Sequence, residues 1–138
     1  MKRLIHLVKS YRGGKMEWND KLPVYQQMKD YFIDAILAGT YPLGSELPSR
    51  RAIASEFKVN PNTVQRAFKA MEEEGVIVTL ANVPSQVTQD QLLLNRLRRQ
   101  RLRQAIEQFY RQVQALNVDE KVMFQALEDY LEEEASHD

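Results

Sequence analysis

The sequence predicts a mainly α protein: a small helical domain that closes with a β-hairpin, followed by two long helices. Three observations predict it. Apolar residues recur at spacings of three and four over most of the chain, the mark of amphipathic helices. Two of those helical stretches are separated only by Lys58-Val59-Asn60. One stretch, Val76 to Thr88, is instead rich in β-branched residues on either side of Asn82–Pro84, which reads as a hairpin.

The chain's 138 residues suit one compact domain, or a small domain with an appendage. Hydrophobic content of 43% against 28% charged residues is that of a globular protein and excludes overall disorder. No run of 18 apolar residues occurs, so no transmembrane helix and no membrane partner is expected. Cysteine is absent, which excludes disulfides, thiolate metal sites and thiol nucleophiles, and fits a reducing, cytoplasmic setting. The two histidines, His6 and His137, lie near the chain ends, where a catalytic or metal site is hard to build. No acid–base pair, phosphate-cradling loop or metal-ligand spacing stands out, so neither an enzyme nor a cofactor is expected.

The zero net charge hides blocks of opposite sign, and blocks are what partners feel. Residues 1–15 hold five bases and no acid; the balance is +3 from Leu43 to Ala70, +5 from Arg96 to Arg111 and −7 from Asp119 to Asp138. The block at 96–111 reads equally well as a solvated helix face.

The elements follow in order. Residues 1–15 form a basic N-terminal extension that ends at Gly13-Gly14. It lacks the unbroken apolar core and cleavage site of a signal peptide. A basic arm, a lipid-surface helix and an upstream extension before a natural start at Met16 all fit it. From Leu22 to Ala38, Val24, Met28, Phe32, Ala35 and Ile36 give a helix, with Pro23 in its first turn and Gly39 at its end. The stretch TYPLGSELPS reads as a turn-rich connection. Ser49 caps a short helix through Phe57, whose buried pair is Ile53 and Phe57. Asn60 then caps a helix with Pro61 at its first position, running to Glu74 and stopped by Gly75. Val64, Ala67, Phe68 and Met71 form its buried stripe, and Asn62, Thr63, Gln65, Arg66 and Lys69 lie off it. After the hairpin, Thr88 opens a long helix to about Leu116, with Gln91 completing a capping box. Asn117-Val118-Asp119 breaks it, and a last helix starts near Glu120.

A short helix, a three-residue turn and a second helix with polar residues at its start is the plan of a helix-turn-helix, and the hairpin after it is a wing. The major groove of DNA admits one helix. Asn and Gln pair bidentately with adenine there and Arg with guanine, while Ser, Thr and helix N–H groups hold phosphates. The helix starting at Pro61 offers this set, with Arg50 and Arg51 at the start of the helix before it. Polar residues off a helix stripe are also common on plain solvated surfaces.

The stretch LPSRRAIASEFKVNPNTVQRAFKAMEEEGVI resembles the DNA-binding signature of the GntR family of bacterial transcription regulators, and PVYQQMKDYFIDAILAGTYPLGSELPS resembles that family's first helix and loop. The likeness runs from about Trp18 to Thr88. It implies a winged helix-turn-helix domain over residues 16–88 and, for residues 89–138, a helical dimerisation region with an acidic tail, similar to the YtrA subfamily. Larger subfamilies carry a metabolite-binding domain, for which this chain has no room. The resemblance implies double-stranded DNA with a palindromic operator as partner and a homodimeric repressor as the function; it names no small-molecule effector. The candidate DNA-binding residues are Ser49, Arg50, Arg51, Asn60, Asn62, Thr63, Gln65, Arg66 and Lys69. Many family members carry Arg in place of Gln65. The candidate dimerisation residues are Leu102, Ile106, Phe109, Val113, Met123 and Leu127. The wing departs from the family's pattern: Leu80 and Ala81 stand in place of a basic pair, Asn82 and Pro84 in place of glycines and Gln86 in place of an aromatic. A protein-interaction module that kept the fold and lost DNA affinity is the alternative these departures favour.

Overall fold

The computed structural model describes residues 11–12 and 15–137. The basic segment through Ser10, with His6, and the Gly13-Gly14 break lie outside the described residues. Tyr11–Arg12 (β1) pairs antiparallel with Lys15–Met16 (β2), Tyr11 opposite Met16. The chain divides into two compact units, one ending at Arg98 and the other beginning at Arg99.

In the first unit, α1 (Val24–Leu37), α2 (Arg50–Phe57) and α3 (Pro61–Glu73) surround one apolar core. Each helix starts with the expected signal. Pro23 precedes α1; the Ser49 hydroxyl accepts from the Ala52 N–H at 3.0 Å; the Asn60 amide oxygen accepts from the Asn62 N–H at 2.8 Å, with Pro61 at the first helical position. Met28, Phe32 and Ile33 from α1, Ile53 and Phe57 from α2, and Val64, Ala67, Phe68 and Met71 from α3 are all buried. Phe57 sits between Tyr31, Phe32 and Trp18, with ring centroids 5.6, 5.9 and 6.4 Å away, so α2 is keyed to α1 by aromatic contacts.

All three helices end in the same way. The N–H of Thr40, Val59 and Val76 reaches back to the carbonyl of Ala35, Ala54 and Met71 respectively. This bond needs a left-handed residue just before the donor. Gly39 (φ 86°) and Gly75 (φ 76°) supply it for α1 and α3, and Lys58 (φ 53°) for α2. The left-handed lysine makes the tight turn that carries the chain from α2 into α3.

The wing consists of β3 (Ile77–Val78) and β4 (Gln86–Val87), antiparallel, with Ile77 opposite Val87. A third arm completes it. Glu46 bridges to Gln86, the Leu47 N–H donates to the Ser85 carbonyl at 2.9 Å, and the Val87 N–H donates to the Ser45 carbonyl at 2.8 Å. The segment before α2, expected as a plain connection, therefore serves as an edge strand that joins the wing's base to the start of α2.

The long helix α4 (Gln91–Ala115) begins two residues later than a cap at Thr88 implies. Its first turn is capped by Asp90, whose carboxylate accepts from the Leu93 N–H at 3.1 Å. Thr88 does not form the expected capping box: its N–H is bonded to the Val76 carbonyl, its hydroxyl accepts from the Asp90 N–H two residues on, and the Gln91 amide donates to Asn95. Leu94 is buried in the first unit, and Arg98 Nη2 donates to the Leu37 carbonyl at the end of α1. In the second unit, the rest of α4 is followed by α5 (Glu120–Ser136), capped by Asp119. No described helix is long and apolar enough to cross a membrane.

Candidate nucleic-acid interface

The turn between α2 and α3 brings the start of both helices to one surface. Arg51, Asn62, Gln65, Arg66 and Lys69 are exposed there, as are the caps Ser49 and Asn60, with Thr63 half-buried. A shallow concavity of about 550 Å³ runs between the helices, lined by Arg50, Arg51, Ser55, Val59, Pro61, Asn62 and Gln65. Arginine, asparagine and glutamine side chains therefore converge on one opening, the donor and acceptor set that base edges and phosphates require.

The candidates are not equivalent. Asn62 and Gln65, one helical turn apart on α3, share that opening with Arg51 from α2. Ser49 and Asn60 spend an acceptor on capping, which leaves the serine O–H and the asparagine NH₂ as donors. The first amides of α3 are also spent: Asn62 N–H bonds the Asn60 side chain and Thr63 N–H the Asn60 carbonyl. The start of α3 thus offers side chains, rather than its own N–H groups, to a phosphate. Arg66 lies with its guanidinium 4.1 Å from the centre of the Tyr25 ring, held toward α1. Arg50 stacks at 5.1 Å on Phe68 and donates from Nη2 to Glu72 Oε1 at 3.2 Å. Lys69 is exposed on the flank of α3.

Sequence reasoning passed over Ser55, which lines the concavity, and over Tyr25 and Glu72, which hold two of the arginines. Tyr25 reads only as a helix position and Glu72 as one of three consecutive acids, so neither carries a signal of its own. At the wing's tip, Leu80 and Val83 are exposed, at 63% and 47%. Their chemistry is apolar, as the residues at 80–84 imply.

In the second unit an apolar groove of about 550 Å³ separates the end of α4 from α5. Phe109, Val113, Met123 and Leu127 line it together with Val122 and Tyr130. Leu102 and Ile106 lie outside the groove on α4, and both are more than half exposed in the single chain. Among the described residues, no cluster of His, Asp or Glu is placed to hold a metal ion.

Residues 24–87, the span of the three helices and the wing, match the family described as bacterial regulatory proteins, gntR family. The structure of YtrA from Sulfolobus acidocaldarius, a GntR-family transcription factor, is similar at 32% identity and a TM-score of 0.51, over 65% of this chain and 94% of that one. The chain belongs to the GntR family. A GntR-family transcriptional regulator from Listeria monocytogenes is similar, with a TM-score of 0.74 and 28% identity, covering 81% of this chain and 98% of that one. The HTH-type transcriptional regulator YhcF of Bacillus subtilis is 26% identical over 116 residues, 84% of this chain and 96% of that protein. This GntR-family chain is accordingly a transcriptional regulator rather than an enzyme, and its hairpin is the wing of a winged helix-turn-helix.

Proposed function

We propose that this regulator is a homodimeric, sequence-specific repressor that reads a palindromic operator in the cytoplasm. The observation that carries the reading is the convergence of Arg51, Asn62 and Gln65 on one exposed concavity at the start of α2 and α3. With α3 in the major groove, Gln65 and Asn62 face base edges. Arg51, Ser49 and Lys69 take phosphates on either side. A dimer formed through α4 and α5 sets two such helices on symmetric half-sites, and a protein seated there blocks a promoter by occupancy. Its short helical C-terminal region favours the YtrA-like branch of the family; the match to YhcF, which spans more of the chain, favours a YhcF-like branch equally.

Selection of bound duplexes from a random pool tests the reading. An inverted repeat is expected, its half-sites about one helical turn apart. Enrichment of no sequence, with binding no tighter than on random duplex, would favour the protein-interaction module over a DNA reader.

A further inference from the structure

A chain of polar side chains joins α2, α3 and the wing. Glu72 Oε1, at the end of α3, accepts from Thr79 Oγ1 at 2.6 Å and from Arg50 Nη2 at 3.2 Å. Thr79 in turn lies 2.7 Å, hydroxyl to hydroxyl, from Ser85 on the opposite arm of the hairpin. Ser85 is buried, and its carbonyl holds Leu47, two residues before the Ser49 cap. Arg50 is fixed at its other face by stacking on Phe68, and its Nε is buried with no hydrogen-bond partner. One carboxylate oxygen therefore ties an arginine of α2 and a threonine of the wing to the helix that carries Asn62 and Gln65.

We propose that Arg50 is a positioning residue: by holding Glu72 against Thr79 it latches the wing to α3, and it does not itself hold phosphate. An arginine drawn away to a phosphate would give up the Phe68 ring and the Glu72 carboxylate, and would strand that carboxylate beside DNA. The latch also answers a need of this chain. With no cation and no glycine from Leu80 to Pro84, the wing has nothing in the DNA to anchor it. Its pose has to be set from within the protein. The effect on DNA binding rests on the function proposed above; the latch does not.

The test uses the full chain with Arg50→Met, which keeps an aliphatic stem over Phe68, Thr79→Val, which removes the hydroxyl without changing charge, and the pair combined. Amide exchange across residues 79–86 is expected to quicken by about tenfold in either single variant and no further in the double, as for two members of one network. On the selected duplex, each single variant is expected to bind about threefold to tenfold more weakly, again without adding. The slope of log K against log salt should stay at the wild-type value, whereas losing one phosphate contact would lower it by about 0.9. A lowered slope in Arg50→Met alone would make Arg50 a phosphate ligand and overturn the proposal. So would unchanged exchange in both single variants. Faster exchange with unchanged affinity would leave a latch that DNA binding does not need, which also overturns it. If the wild-type chain binds no duplex, the proposed function fails, and the exchange measurement alone decides whether the latch exists.

Discussion

At the scale of single residues, Gln65 is the side chain on which specificity turns under the proposed function. It projects from the second turn of α3 into the concavity it shares with Asn62 and Arg51. A glutamine amide matches adenine, and a guanidinium matches guanine. Gln65→Arg should therefore move the preferred base at one position of each half-site, by about 1–3 kcal/mol, and leave the other positions as they were. Repeating the duplex selection with the variant checks this; an unchanged consensus would place the reading face elsewhere on α3. Arg51 is expected to act differently. It is exposed beside the same opening, and Arg51→Ala should weaken binding to every duplex and lower the salt slope by about 0.9. A titration at several salt concentrations separates the two roles. That Asn62, Gln65 and Arg51 are exposed together was legible in the sequence, because all three are polar and lie off the apolar stripes of their helices. That Arg50 and Arg66 are stacked on Phe68 and Tyr25 was not, because those rings come from elsewhere in the fold.

Among the elements, local signals proved readable wherever one residue decides the conformation, and unreadable where the decision is made by distant partners. Ser49, Asn60 and Pro61 mark the starts of α2 and α3 because each supplies a cap or a preset φ. Gly39 and Gly75 mark ends for the same reason. Thr88 carries an equally good local signal and misled, since the N–H that a capping box would leave to Gln91 is claimed by the Val76 carbonyl across the hairpin; Asp90 caps the helix. The third arm of the wing was hidden too, because its pairing with Ser85 and Val87 is non-local and its sequence is dense in turn residues. Two stability measurements follow. Asp90→Ala should cost about 1 kcal/mol by removing the cap of α4, while Thr88→Ser, which keeps the hydroxyl, should change little. Lys58→Gly should stabilise the first unit by about 0.5–1 kcal/mol, the left-handed penalty less the entropy that glycine adds to the unfolded chain. Chemical denaturation of each variant reads both, and a destabilised Lys58→Gly would mean that the lysine side chain holds the turn in some other way.

The whole molecule raises the question of what covers α4 and α5. In the single chain many of their apolar side chains stand largely in solvent: Leu102 is 60% exposed and Ile106 55%, and the groove between the two helices is lined almost wholly by hydrocarbon. Two helices can bury only one face each against one another, and side chains such as Leu102 and Ile106 point away from the groove. A second copy presenting the same helices is the simplest cover, since an isologous pairing meets every exposed stripe with its own equivalent. Nothing in one chain's sequence can reveal which residue of a partner meets which. Replacing Phe109 and Leu127 together by Asp tests the pairing. Phe109 and Leu127 both line the groove, so the carboxylates would be buried without partners in a dimer, at a cost on the order of several kcal/mol, and at a smaller cost in a monomer, where the two positions are 41% and 37% exposed. Light scattering should then report a dimer for the wild type and a monomer for the variant. The wild type's melting temperature should rise with protein concentration and the variant's should not. Unit one has its own core and caps, so the variant should keep its folded signal and still bind a single half-site, with the tighter, two-fold binding lost. If the variant stays dimeric and folded, the two copies of the chain meet through some other surface, and the spacing of operator half-sites will have to be explained from there.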